Sequence, residues 1–118
     1  MTTVLLADDN ADFAESLADL LTEDGYSVVI ARDGDEAVRL FGESRADVVL
    51  LDVTMPRMSG IDALDRIRSV SPSVPAILLT AYESMTFADR VRAAGYDVML
   101  KPVHYPELAS WLGALAER

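Results

Sequence analysis

Residues 3–25 read TVLLADDNADFAESLADLLTEDG. The stretch opens on an apolar run, TVLLA, breaks into Asp8-Asp9, and then changes period. Across 11–24 the large apolar residues Phe13, Leu17, Leu20 and Leu21 fall on one helical face. Gly25 follows, where a helix end needs a left-handed residue. A short apolar run without alternation reads as a strand buried on both faces, the kind found in parallel sheets. One strand, an acidic exit and one amphipathic helix make a βα unit.

The unit recurs along the chain. Further apolar runs lie at 26–31, 47–51, 75–79 and 97–100. Helical stripes lie between and after them. In 34–42 the stripe is Ala37, Leu40 and Phe41, with Asp33 and Glu36 spaced as a capping box. In 60–69 it is Ile61, Leu64 and Ile67, and SPSVP at 71–75 stops that helix. In 84–94 it is Phe87, Val91 and Ala94, followed by Gly95. In 106–116, Pro106 suits a first helical position, and Leu108, Trp111, Leu112 and Leu115 face inward. Right-handed crossovers place helices on both faces of a parallel sheet. The expected fold is a flavodoxin-like (βα)5 three-layer α/β sandwich with a parallel five-stranded sheet. No linker, repeat or low-complexity tract interrupts it, so residues 1–118 are expected to form one domain.

Composition narrows the function. Of 118 residues, 51% are hydrophobic, which supports a real core. No run of 18 apolar residues offers a membrane span, and the N-terminus lacks the basic start and apolar segment of a secretory signal. Cysteine is absent, which removes disulfides and thiolate metal sites. The cytoplasm is the simplest location. A net charge of −10 disfavours nucleic acid and anionic membrane surfaces and favours cations and basic protein surfaces. Most of the 20 acidic residues need no role beyond solubility.

Ligands of open α/β sheets bind beyond the carboxyl ends of the strands, so the strand exits carry the chemistry. Strand one leaves into Asp8-Asp9, strand three into Asp52, strand four into Thr80 and strand five into Lys101. With the strand order 2-1-3-4-5, strands one and three are neighbours and the three acids share one crevice. Two unit charges about 4 Å apart repel by roughly 4 kcal/mol at a surface-like dielectric. Either one acid holds a proton or a cation sits among them. All-oxygen ligation suits Mg²⁺ or Mn²⁺. The plainer reading makes each aspartate a helix cap. Three acids at matched strand ends, joined by Thr80 and the chain's only lysine, favour the site.

LLADDN (5–10), LLDVTMPRMSG (50–60), LLTAY (78–82) and MLKPV (99–103) together resemble the motifs of the bacterial response-regulator receiver domain. The resemblance runs over essentially the whole chain. It implies the CheY-like fold, with sheet order 2-1-3-4-5, and the role of a phospho-accepting switch rather than an enzyme acting on other substrates. It implies Asp52 as phosphoacceptor, with Asp8, Asp9, Asp52 and the Thr54 backbone carbonyl holding Mg²⁺ and the Asp8 contact passing through water. Thr80 and Lys101 would bind the phosphoryl oxygens, with Met55-Pro56 and Gly60 shaping the loop. The Lys101–Pro102 bond would be cis. Implied partners are a sensor histidine kinase or histidine phosphotransfer protein, a downstream target, and a weak or phosphorylation-dependent second copy. The resemblance also implies that Thr54, two residues after Asp52, and Tyr82, two after Thr80, flank the path of attacking water.

One departure from the family is local. It often carries Tyr, Phe or His three residues before the lysine; that position is Val98, and Tyr96 lies two residues earlier. Thr80 and the fourth helix are then expected to carry activation, with a different readout of strand five. Met85, Val103 and Tyr105 are expected on the surface formed by helix four, strand five and helix five. His104 reads as a surface-loop residue. Two other functions share part of the pattern. An Asp-nucleophile phosphohydrolase also uses an acid after a strand, but its usual second acid two residues on is Thr54 here. A non-phosphorylated interaction module would not need the full set of acids, Thr80 and Lys101. A nucleotide-binding domain would need a Gly-rich loop after strand one, which is missing. The residues fit a stand-alone regulator and a domain of a larger protein equally.

Overall fold

The computed structural model describes residues 2–81 and 85–116, the side chains of Met85 and Ala116 excepted. Five strands and five helices alternate: β1 Thr3–Ala7, α1 Ala11–Glu23, β2 Ser27–Ala31, α2 Gly34–Ser44, β3 Val48–Asp52, α3 Gly60–Val70, β4 Ala76–Thr80, α4 Met85–Ala93, β5 Val98–Leu100 and α5 Tyr105–Ala116. The strands form one parallel sheet in the order β2-β1-β3-β4-β5.

Side-chain alternation along β1 shows why its apolar run is continuous. Val4 and Leu6 pack with Ala14, Leu17 and Leu21 of α1 and with Leu108 and Leu112 of α5. Leu5 and Ala7 point the other way, into a cluster with Ala37 and Phe41 of α2, Leu64 and Ile67 of α3, and Val91 of α4. Burial of both faces removes the polar alternation of a half-exposed strand. Each fully buried Leu contributes about 1.5–3 kcal/mol.

The helix ends depend on local chemistry. Asn10 caps α1 by accepting from the Phe13 N–H at 3.1 Å. Asp33 caps α2 by accepting from the Glu36 N–H at 2.8 Å. The return half of that box is displaced by one residue, because Glu36 Oε1 accepts from the N–H of Arg32. Gly25 and Gly95 take φ of 94° and 97°, as their places after helices require.

Several boundaries and faces differ from expectation. Asp52 and Thr80 are the last residues of β3 and β4 rather than the first residues beyond them. The ladder continues one step past the apolar run, with Asp52 paired to Leu79 and Thr80 to Leu100. Helix α2 runs through Gly42 to Ser44 and stops where Arg45 turns left-handed at φ 52°. Helix α5 starts at Tyr105, so Pro106 stands one position later than expected. Leu20 and Phe87, both expected inward, are 42% and 39% exposed. Ala94 is exposed as well. Helix α4 turns the small Ala88, beside Val91, toward the core and leaves the Phe87 ring at the rim.

Two glycines are required by close approach. A Cβ on Gly60 would lie 2.2 Å from the Asp52 carbonyl oxygen, and one on Gly34 would lie 2.3 Å from that of Met58. The β3–α3 loop is thereby pressed against the carboxyl end of β3, where the acids gather.

Candidate functional site

The sheet register builds the site. Ala7 of β1 lies beside Leu51 of β3, so the residues that follow, Asp8 and Asp52, emerge side by side. The Asp8 N–H donates to the Ala31 carbonyl at 3.0 Å, which keeps the chain extended one residue past β1. Among the described residues, Asp8, Asp52 and Thr80 are the buried polar or charged ones, 1%, 7% and 3% exposed. Asp9 is exposed beside them, and one carboxylate oxygen from each of Asp8, Asp9 and Asp52 lies within 4.8 Å of the others.

Lys101 enters from the end of β5, aligned by its N–H donating to the Thr80 carbonyl at 2.7 Å. Its ammonium donates to Asp8 Oδ2 at 2.6 Å and stands 3.7 Å from Asp52 Oδ2. The other Asp8 oxygen accepts from the Asn10 N–H at 2.9 Å. Burial pushes the Asp52 carboxyl up to about 6, with the Asp8 charge adding to the rise. Lys101 and a hydrogen bond from the Thr54 backbone oppose it, and Asp9 adds a smaller upward push. Asp52 is therefore the acid in the cluster with the clearest need for a countercharge.

The donor set fits a hard divalent cation: three carboxylates, no nitrogen or sulfur ligand, and a site at the rim of the sheet. Asp8 already accepts a bond at each oxygen, whereas Asp9 is exposed and Asp52 has the Lys101 ammonium no nearer than 3.7 Å.

Most expected residues converge here: Asp8, Asp9, Asp52, Thr54, Thr80 and Lys101 all sit at the carboxyl edge of β1, β3, β4 and β5. The loop after Asp52 is held by buried Met55 and Met58 and by the Gly60 N–H donating to the Val53 carbonyl at 2.9 Å. The Lys101–Pro102 bond is cis, as the resemblance implies. Tyr82 lies outside the described residues, as does the side chain of Met85. Val103 and Tyr105 are half-buried rather than fully exposed. Both are partly buried against the α1–α5 core, and the Tyr105 hydroxyl donates to Asp24 Oδ2 at 2.6 Å. Burial, and then that bond, hold the Tyr105 hydroxyl well above the usual phenol range. His104 is exposed, and its carbonyl accepts from Glu107 and Leu108 at the start of α5. Val98 packs on the α2–α3–α4 side of the sheet, and nearby Tyr96 donates to Asp65 of α3 at 2.9 Å.

Two residues at the site escaped the sequence reading. Asn10 was not singled out, either as the cap of α1 or as a partner of Asp8. Phe13 was read only as core; its ring lies 4.4 Å from Lys101 Nζ. No spacing rule links residues 13 and 101.

A doubly wound parallel sheet with clustered acids and a lysine at its carboxyl edge defines a CheY-like receiver. The chain belongs to the response regulator receiver domain family, whose model matches residues 4–112. It is 39% identical to the probable transcriptional regulatory protein TcrX of Mycobacterium tuberculosis, over 98% of this chain and 50% of that protein. It is 38% identical to response regulator MprA of Mycobacterium sp. (strain KMS), again over 98% of this chain and 50% of the relative. The chain thus spans about half the length of these relatives. Among solved structures it resembles the receiver domain of the Francisella response regulator 1452, at TM-score 0.88 and 30% identity over 100% of this chain and 98% of that one. It also resembles Vibrio cholerae chemotaxis protein CheY4, at TM-score 0.84 and 30% identity over 97% and 98% of the two chains. Among the described residues, no helix is long and apolar enough to cross a membrane.

Proposed function

We propose that residues 1–118 form one receiver domain that accepts a phosphoryl group on Asp52 from a sensor histidine kinase or histidine phosphotransfer protein. The observation that carries this reading is the meeting of Asp8, Asp9 and Asp52 oxygens within 4.8 Å with Lys101 Nζ 3.7 Å from Asp52. Asp9, Asp52 and the Thr54 carbonyl would hold Mg²⁺, or Mn²⁺, directly, with Asp8 acting through water. The cation would supply charge neutralisation and a ligand position for a phosphoryl oxygen. Phosphoryl transfer depends chiefly on positioning and electrostatics, and the residues here provide both. The Asp52 carboxylate attacks phosphorus as the donor's bond to it breaks. Lys101 moves from Asp8 toward the new phosphoryl oxygens as a compact charge. The Thr80 hydroxyl donates to another of them, and the segment after β4 follows it, changing the α4-β5-α5 surface that a downstream target or second copy reads. The domain catalyses only its own phosphorylation and dephosphorylation, in the cytoplasm.

Incubation with acetyl phosphate and Mg²⁺ tests this reading by intact mass. A phosphoryl mass increase that is absent from Asp52→Asn is expected. No increase with acetyl phosphate or with histidine kinases would overturn it.

A further inference from the structure

Lys101 is the only lysine of the chain and its side chain is 21% exposed. Three groups surround its ammonium: Asp8 at 2.6 Å, Asp52 at 3.7 Å and the face of Phe13, with the ring centroid at 4.4 Å. The ring is fixed by the same turn that fixes Asp8. Asp8 Oδ1 accepts from the Asn10 N–H, and Asn10 Oδ1 accepts from the Phe13 N–H. Phe13 is itself partly buried against the α1–α5 core. Asp8, Asn10, Phe13 and Lys101 thus close a ring of contacts that joins the β1–α1 turn to the end of β5.

We propose that Phe13 is a positioning residue for phosphoryl transfer, holding the Lys101 ammonium in the site by a cation–π contact. The proposal rests on the phosphoacceptor reading above. The reason lies in what the two acids do during transfer. Asp8, with Asp9 and Asp52, would share its charge with a bound divalent cation, and so would grip Lys101 less. The ammonium must then leave Asp8 and bridge toward the phosphoryl oxygens on Asp52. A strongly hydrated lysine released from one carboxylate gains by turning out to water. The negative face of Phe13 offsets that tendency without competing for Lys101's hydrogen-bond geometry, and is worth more at this desolvated site than in open solvent. The ring carries no charge, so it attracts the ammonium without adding a fourth acid to the cluster.

The lone lysine makes the contact directly observable. Protein labelled with ¹³C-lysine gives one side-chain ε-methylene signal, which the ring face should shift upfield in wild type. Phe13→Leu, of similar volume, should return that signal to the free-lysine position, and Phe13→Trp should keep it upfield. Phe13 is then replaced site-specifically by phenylalanines carrying successive fluorines, which weaken the ring quadrupole while nearly preserving shape. The rate of Asp52 labelling by acetyl phosphate with Mg²⁺ should fall stepwise along the series, and roughly three- to tenfold in Phe13→Leu. In a Lys101→Met background the fluorines should have no effect. A lysine signal at its free position in wild type, or a flat series in the Lys101 protein, overturns the proposal. An upfield lysine signal with no Asp52 labelling in wild type overturns the phosphoacceptor reading and the assignment of Phe13 to it together.

Discussion

Lys101 Nζ bonds Asp8 at 2.6 Å and leaves Asp52 at 3.7 Å, although both acids are buried at adjoining strand ends. The lysine is committed to Asp8, whose other oxygen accepts from the Asn10 N–H. Asp52 keeps an oxygen available for chemistry, and its carboxyl bears the cost of burial.

That cost makes the stability of the metal-free domain depend on pH. Asp52 titrates near 6 when folded against 3.8 ordinarily, so its raised folded pKa favours folding at low pH. This contribution is complete below about 3.8 and is lost as pH rises through about 6. Asp52→Asn should therefore be more stable than wild type at pH 7.5, by about 1–3 kcal/mol. The advantage should shrink as pH falls from 7 to 4. Urea denaturation across that range, in chelator, measures it; a difference independent of pH would contradict the assignment.

Divalent cation should reverse the order of stability. Mg²⁺ at about 100 times its dissociation constant should stabilise wild type by roughly 2.7 kcal/mol. Asp9→Ala should lose most of that gain, while its metal-free stability stays within about 0.5 kcal/mol because Asp9 is exposed. Calorimetric titration of both proteins, paired with denaturation, checks the two halves separately.

Removing the Lys101 charge should harm folding as well as chemistry. Lys101→Met strands the Asp8 carboxylate, whose side chain is 0% exposed, and should cost about 3 kcal/mol without metal. Lys101→Arg retains the charge but brings a planar fork into a site fitted to a single ammonium. It should fold, yet label Asp52 with acetyl phosphate about tenfold or more slowly. Equal labelling by Arg would show that only charge matters there.

Glycine positions give an independent check of the loop. Gly60→Ala drives a Cβ to within 2.2 Å of the Asp52 carbonyl oxygen and should cost roughly 2–3 kcal/mol while slowing labelling. Gly42→Ala meets nothing within 4 Å and lies inside α2, so it should stabilise by roughly 0.5–1 kcal/mol with labelling unchanged. Thermal melts and labelling rates of the pair separate a local steric demand from a general intolerance of change.

Legibility varied with the range of the interaction responsible. TVLLA, DVVLL and PAILL were readable as strands because burial on both faces leaves no polar alternation, and Gly25 and Gly95 were readable because only backbone freedom explains them. Leu20 and Phe87 were misplaced because a helical stripe states which residues lie near one face, not how far the helix is rolled. Rotation is set by what the facing sheet accommodates, and α4 meets it with Ala88. Tyr105 was expected to be more exposed for a similar reason: its hydroxyl partners, Leu20 and Asp24, lie more than 80 residues earlier along the chain.

The amino-acid sequence by itself determined the βα alternation, the parallel sheet and the identities of Asp8, Asp9, Asp52, Thr80 and Lys101 as the residues at its carboxyl edge. These follow from local periodicity and from where each apolar run stops. Only the tertiary structure decided that Lys101 grips Asp8 rather than Asp52, that the Phe13 ring lies against it, and that Gly60 must be bare beside Asp52. Those are contacts between segments brought together by sheet register and close packing, which no local pattern in the chain encodes.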